Sequence, residues 1–381
     1  MKKNNLLLIV ENTTDIRLID GLRRNFNLTI FGRKRKSYNI VPWRIPEDVK
    51  VYIFNCKKIL YPFTLFFALL RFRSYFEYFV VNSETFIGFP LTLLRLVVQK
   101  PCISIICKPS VKYLYAKSKK KGIGFFQYIL KYLTIRFLIM WNISMFDLNI
   151  VLSEYLRKKL DRYSKKIKVI PIYGIDNKIF GTGNIQEKKK LRKELRLPMD
   201  KYIIFISSRI SPEKDIETLF DALKLVIHIG IDDIIILNLS GQYKEFIALA
   251  KKYNLLKYII GRPAISPYEL PPYYQAVDLC IQPSIYEGLG FSPLESLACG
   301  TPVIVSHTGG LQESTKHTVH SLHFIPKDPE DLAEKTMYAY KHRKEMKIMA
   351  QRGMKWVREK YSSKEVFKKF KFLVEEIKFN G

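Results

Sequence analysis

Short apolar runs of strand length alternate with segments of helical period along the chain, and the series runs through twice. The first series is Leu6–Val10, Leu28–Phe31, Val51–Asn55, Tyr78–Asn82, Cys102–Ile106 and Phe146–Leu152, closing on a last strand and turn at Val169–Asp176. A polar, charged stretch from Gly181 to about Leu197 reads as a linker running into a helix. The second series is Tyr202–Ser207, Ile234–Ser240, Ile259–Ile260, Leu279–Ile281 and Val303–Val305, followed by Phe324-Ile325-Pro326. Between the runs, Ile16, Ile19, Leu22 and Phe26 recur at helical spacing, and Glu217–Val226 and Glu269–Ala276 also read as helices. Strands alternating with helices predict parallel, doubly wound sheets. A chain of 381 residues exceeds one ordinary hydrophobic core, so two domains are expected.

One stretch of the second series carries chemistry. In Asp278–Glu313 an apolar strand leads into a turn rich in Pro, Ser and Gly, then a short helix, then another strand. Ser292 fits an N-cap, Pro293 the first helical position, and Glu295 a capping box. Gly288 and Gly290 let backbone approach a ligand just before a helix N-terminus, where an anion such as phosphate is favoured. Glu287 and Glu295 flank that point, and carboxylates are good acceptors for sugar hydroxyls. Together these features suggest a nucleotide sugar. Read alone, the glycines equally make an ordinary turn and Glu295 equally caps its helix.

The run YEGLGFSPLESLACGTPVIVSHTGGLQE resembles the signature of retaining glycosyltransferases of family 4, whose fold is GT-B. Glu287 and Glu295 have the family's Glu-x7-Glu spacing, followed by a small-residue helix, a Gly-Thr-Pro-Val turn and a Gly-Gly loop. DLNIVLSEYLRKKL and VIPIYGIDNKIF resemble the end of the family's first domain, and SRISPEK its Arg-x4-Lys diphosphate clamp. The resemblance implies two Rossmann-like domains facing a central cleft. An acceptor-binding domain would take residues 1–180 and a nucleotide-sugar-binding domain 181–355, with 356–381 crossing back as part of a terminal helix, Lys355–Lys378. It assigns Arg209 and Lys214 to the diphosphate, Glu287 to the donor sugar, Glu295 to the ribose, and the backbone of Gly288, Leu289 and Gly290 to phosphate or sugar hydroxyls. Glu287, Arg209 and Lys214 would be the catalytic set. Base recognition would fall near Arg262–Ile265, largely through backbone.

The implied reaction keeps anomeric configuration and uses neither a metal nor a cofactor. Its donor would be UDP- or GDP-linked, and the departing phosphate oxygen would help deprotonate the acceptor. Three departures stand out. Ser208 occupies the place of a usual Gly before the clamp Arg, Glu11-Asn12-Thr13-Thr14 replaces a glycine-rich first loop, and no His precedes His228, Lys108 following the strand where one is sought. The first is a small change; the other two point to a rebuilt acceptor side, with impaired catalysis as the alternative. His317, His320 and His323 straddle a loop and a strand and read as connecting structure, and Cys102 and Cys107 as strand residues.

Charge suggests a partner. Of the net +29, residues 1–180 contribute +22, from 33 Lys and Arg against 11 Asp and Glu. A positive first half suits anionic lipid, a phosphorylated acceptor or nucleic acid, and a Lys-rich solvated surface is the plain alternative. No RNA-binding motif alternates aromatics with basics, which leaves nucleic acid remote. Phe125–Trp141, apolar except for Gln127, Lys131 and Thr134, reads as a helix packed on a sheet. A membrane interface beside Lys119-Lys120-Lys121 is the alternative. MKKNNLLLIVEN reads as a first strand rather than a signal peptide, and Ile59–Leu70 and Phe137–Phe146 stop short of a membrane span. Five scattered cysteines suggest a reduced compartment. The expectation is a cytoplasmic enzyme on the inner face of a membrane, acting on a glycan or lipid-linked acceptor. The rival is a basic, non-catalytic binding protein on a GT-B scaffold.

Overall fold

Residues 6–10 are apolar without interruption and wholly buried, the mark of a strand covered on both faces of a parallel sheet. The computed structural model describes residues 3–11, 14–34, 44–83, 85–108, 124–181 and 185–379. Asn12, Thr13, Arg35, Lys36 and Lys119–Lys121 lie outside them. The chain divides into two compact units, Met1–Gly174 with Ser363–Gly381, and Ile175–Ser362.

The first unit holds strands β1 (Asn5–Val10), β2 (Asn27–Arg33), β3 (Lys50–Phe54), β4 (Tyr78–Val81), β5 (Cys102–Ile106), β6 (Leu148–Val151) and β7 (Ile167–Val169). They form one parallel sheet in the order β3-β2-β1-β4-β5-β6-β7, with Leu6 opposite Leu28 on one side and Tyr78 on the other. Its helices are α1 (Ile16–Asn25), α2 (Tyr61–Phe72), α3 (Gly88–Arg95), α4 (Phe125–Met145) and α5 (Glu154–Leu160). Asp15 caps α1 by accepting from the Arg17 N–H at 2.9 Å. Right-handed crossovers put α1 on one face of the sheet and α2 to α5 on the other, because the chain reverses direction after β3. In agreement, Leu65, Leu69, Leu91 and Leu94 share a core with Phe79 and Val81, and α3 touches both α2 and α4.

Two expectations need correction here. The helix from Phe125 buries only its C-terminal part, through Leu138, Ile139, Asn142 and Ile143, while Phe125, Phe126, Leu130, Leu133 and Phe137 stand exposed. Its packing is fixed by Asn142, which accepts from Thr92 Oγ1 at 3.1 Å and donates to the Thr85 carbonyl at 2.8 Å. The other correction concerns the single terminal helix, which is two in the structure.

The second unit holds β8 (Tyr202–Ile206), β9 (Ile234–Leu239), β10 (Ile259–Arg262), β11 (Leu279–Gln282), β12 (Val303–Ser306) and β13 (Leu322–Phe324), parallel and ordered β10-β9-β8-β11-β12-β13. Its helices are α6 (Ile185–Glu194), α7 (Ile216–His228), α8 (Tyr243–Lys252), α9 (Pro271–Ala276), α10 (Phe291–Ala298), α11 (Leu311–Ser314), α12 (Pro329–Lys341) and α13 (Arg343–Lys360). After α13 the chain extends to pair with Ile175, whose N–H donates to the Tyr361 carbonyl at 2.7 Å, before α14 (Ser363–Phe379) begins. That tertiary pairing breaks the terminal helix. α14 belongs to the first unit, where Phe370 meets Phe26 edge-on at 6.1 Å. At the foot of β11, Asp278 accepts from Arg192 at 2.6 Å, Lys188 at 2.7 Å and the Ile203 N–H at 2.7 Å, tying α6 to the sheet.

Candidate active site

In the second sheet β8 and β11 are neighbours whose following helices leave in opposite directions, so the crevice at their C-terminal ends is a topological switch point. The loops after β8, β11 and β12 meet there. Asn238, on β9, donates to the carbonyls of Ile206 at 2.9 Å and Ser208 at 3.1 Å, which holds the start of the β8 loop. The loop then makes a tight turn at Pro212–Lys214 and passes Asp215 in a left-handed conformation (φ 46°). Ile285 N–H donates to the Glu213 carbonyl at 2.8 Å, and Ser292 Oγ to the Ser207 carbonyl at 3.2 Å. These bonds stitch the β8 loop to the β11 loop.

The charged residues meet at that seam. Lys214 Nζ lies 2.6 Å from Glu287 Oε2, with both side chains about four-fifths buried. Ser284 Oγ donates to the same carboxylate oxygen at 3.3 Å. Removing an ammonium from water costs less beside such a partner, and the pair fixes the orientation of both side chains. Arg209 is 66% exposed, its guanidinium 3.5 Å from the buried Glu213 carboxylate. The hydroxyls of Ser208 and Ser211 are buried and have no hydrogen-bond partner among the described residues. Buried hydroxyls left unpaired are uncommon away from ligand sites.

Glu295 has a different setting. The short helix starts at Phe291 with Gly290 as its N-cap (φ 91°), two residues earlier than the capping pattern predicts. Ser292 therefore turns to Ser207 rather than capping, and Glu295 does not complete a box: it is 3% exposed and accepts from Tyr274 Oη at 2.7 Å. Burial and that carboxylate push the Tyr274 hydroxyl well above its usual value, so it stays a donor. Tyr274 on α9 and Ser284 were not marked by any sequence signal.

The third loop closes on the first two. Gly310 N–H donates to the Glu287 carbonyl at 3.0 Å, Thr308 Oγ1 to the Ile285 carbonyl at 2.9 Å, and Ser306 Oγ to the Ser284 carbonyl. A Cβ on Gly310 would lie 2.1 Å from the Gly288 carbonyl oxygen, so the Gly-Gly loop is required by backbone packing. All the sequence-marked donor residues, Arg209, Lys214, Glu287, Gly288, Leu289, Gly290 and Glu295, thus fall on the loops and the helix start beyond β8 and β11. Arg262 does not point into this space; its guanidinium donates to the carbonyls of Leu195 at 2.7 Å and Arg196 at 3.0 Å.

The histidines take structural roles. His317 Nδ1 accepts from the His323 N–H at 2.8 Å, and His323 contacts His307 Nδ1 at 3.1 Å and Thr315 Oγ1 at 3.0 Å. His320 stacks on Trp356. Among the described residues no three His, Cys, Asp or Glu side chains are grouped to hold a metal ion. Cys102 is buried in β5, and its thiol is pushed up by burial. Cys107 Sγ lies 3.0 Å from Tyr173 Oη.

Comparison with known proteins follows the same outline. Residues 187–356 match the family model of glycosyl transferases group 1. An uncharacterised glycosyltransferase of Methanocaldococcus jannaschii is 29% identical over 149 residues, 39% of this chain and 38% of that protein. The match thus spans about two fifths of that relative's length. Sucrose-phosphate synthase from Thermosynechococcus elongatus superposes with a TM-score of 0.81 at 20% identity, covering 99% of this chain and 100% of that one. Anabaena HepE in complex with UDP-glucose does so at 0.77 and 13% identity, covering 97% and 99%. Both units have the α/β fold of GT-B proteins, and residues 187–356 belong to the glycosyl transferases group 1 family.

Proposed function

We propose that this chain is a retaining, metal-independent glycosyltransferase. It would move a sugar from a UDP- or GDP-linked donor to a glycan or lipid-linked acceptor at an anionic membrane surface on the cytoplasmic side. The observation that carries the reading is the Lys214–Glu287 pair at the switch point, with Arg209 exposed on the same loop as Lys214 and Glu295 buried in the helix that follows Glu287. That a HepE structure holds UDP-glucose supports a nucleotide-sugar donor.

When a nucleoside diphosphate leaves a sugar, negative charge grows on its phosphate oxygens. Fixed cations aimed at those oxygens lower the barrier, because they are oriented before the reaction begins. In this reading Arg209 supplies a forked donor and Lys214 a point charge. The Ser208 and Ser211 hydroxyls give up their unpaired state to phosphate oxygens. Glu287, steadied by Lys214 and Ser284, accepts from donor-sugar hydroxyls, and Glu295 from the ribose. The second unit would thus bind the donor and the first unit the acceptor. The acceptor hydroxyl attacks from the face the phosphate leaves, and the departing oxygen takes its proton, so no protein nucleophile is required.

The test is slow hydrolysis and binding across UDP-, GDP- and ADP-sugars, with and without EDTA. One donor should bind, with turnover unaffected by EDTA and reduced roughly 10²-fold or more in Arg209→Ala and Glu287→Ala. Failure to bind any donor would overturn the reading.

A further inference from the structure

The outer face of α4 is apolar and uncovered by any described residue. Phe126, Leu130, Leu133, Phe137 and Met140 follow one another at spacings of four, three, four and three, which sets them along a single stripe. Their exposure runs from 79% at Phe126 to 46% at Met140. The buried residues Leu138, Ile139, Asn142 and Ile143 lie on the opposite side of the helix. On the same face of the sheet α2 repeats the arrangement: Tyr61, Leu65 and Leu69 point inward, while Ile59, Leu60, Phe63 and Phe67 are exposed. Patches of this kind mark interaction sites rather than ordinary surface.

Charge identifies the partner. Residues 85–146 contain ten Lys and Arg and not one Asp or Glu, and residues 49–146 contain only Glu77 and Glu84 as acids. Lys131 and Arg136 are exposed on α4, Lys57 and Lys58 precede α2, and Arg71 and Arg73 lie at its end, all exposed. Arg136 flanks the stripe, and a second copy of this chain meeting along it would bring one face free of carboxylates against another. An anionic bilayer answers both features, taking the apolar stripe among its acyl chains and the cations among its headgroups.

We infer that α4, with the exposed edge of α2, is the face by which the first unit lies on an anionic lipid bilayer. α4 lies in the interface and does not cross it: no helix among the described residues is long and apolar enough to span a membrane. This deepens the membrane-surface part of the proposed function and is independent of the donor chemistry.

The full chain is co-sedimented with vesicles of phosphatidylcholine alone and of phosphatidylcholine mixed with phosphatidylglycerol. Two double variants, Phe126→Glu/Leu133→Glu and Lys131→Glu/Arg136→Glu, are compared with wild type. Wild type should partition onto the anionic vesicles, and each variant about tenfold or more weakly. Thermal unfolding and donor hydrolysis should match wild type in both, since the four side chains are exposed and lie on the first unit. Binding by the apolar double variant equal to wild type overturns the assignment, as does wild type ignoring anionic vesicles. A wild-type dimer that the apolar variant dissolves, with no vesicle binding, assigns the face to a second copy instead. Lost donor hydrolysis in wild type with vesicle binding intact would sink the enzymatic reading and leave this one standing.

Discussion

Lys214 and Glu287 are 73 residues apart in sequence yet share one partly buried ion pair, so neither can be changed without stranding the other. Lys214→Ala should lower donor turnover roughly 10²-fold through the lost cation. Lys214→Arg should recover part of it, because a guanidinium still answers both the carboxylate and the phosphate. Equal turnover in both variants would show that charge at this position does not matter. Tyr274 makes the parallel case for Glu295. Tyr274→Phe removes a donor to a buried carboxylate and should cost about 1–3 kcal/mol. The readout is a lower urea midpoint at unchanged slope.

At the scale of elements, the candidate site is three loops bound edge to edge, and its geometry depends on the tightest contact among them. Gly310→Ala would drive a methyl group into the Gly288 carbonyl, and backbone cannot swing aside as a side chain can. The β11 loop should shift and carry Glu287 with it. The expected result is a rise in donor KM of about tenfold, with the overall fold kept, checked by donor titration and circular dichroism. An unchanged KM would mean that the β12 loop does not set the position of Glu287. The same scale explains where pattern reading failed. Ser292, Pro293 and Glu295 have the sequence of a capping box, but the left-handed Gly290 starts the helix two residues early, and partners on other elements then claim both polar side chains.

For the molecule as a whole, acid is the condition to which the fold is exposed through its histidines. Burial, with His307 and His317 adding to it, pushes His323 down to about 4 from an ordinary 6.5. The unfolded chain therefore takes up a proton at His323 before the folded one does. Stability from this group is complete above about pH 6.5 and is lost as pH falls toward 4, by up to about 3 kcal/mol. Tm should drop across that window, and more steeply than in His323→Gln. A slope identical in the two proteins would remove His323 as the cause.

The alternation of apolar runs, with the restart near Tyr202, was enough to define two parallel α/β units, since burying both faces of a sheet requires uninterrupted apolar strands. Arg209, Lys214, Glu287 and Glu295 could be singled out as candidates because motif spacing is local and the loops that carry it are short. Three things were decided only by tertiary structure. Tyr274 reaches Glu295 from another helix and Ser284 reaches Glu287 by the turn of one loop, and neither contact leaves a periodic trace in the chain. The terminal helix breaks at Tyr361 because Ile175 offers a backbone partner from elsewhere. The helix from Phe125 shows apolar residues nearly all round, so its sequence could not say which face packs. Only the docking of Asn142 against Thr85 and Thr92 decides that, and it turns the heptad stripe outward. Periodicity reports that a face is apolar, and only the position of its neighbours tells whether that face is covered.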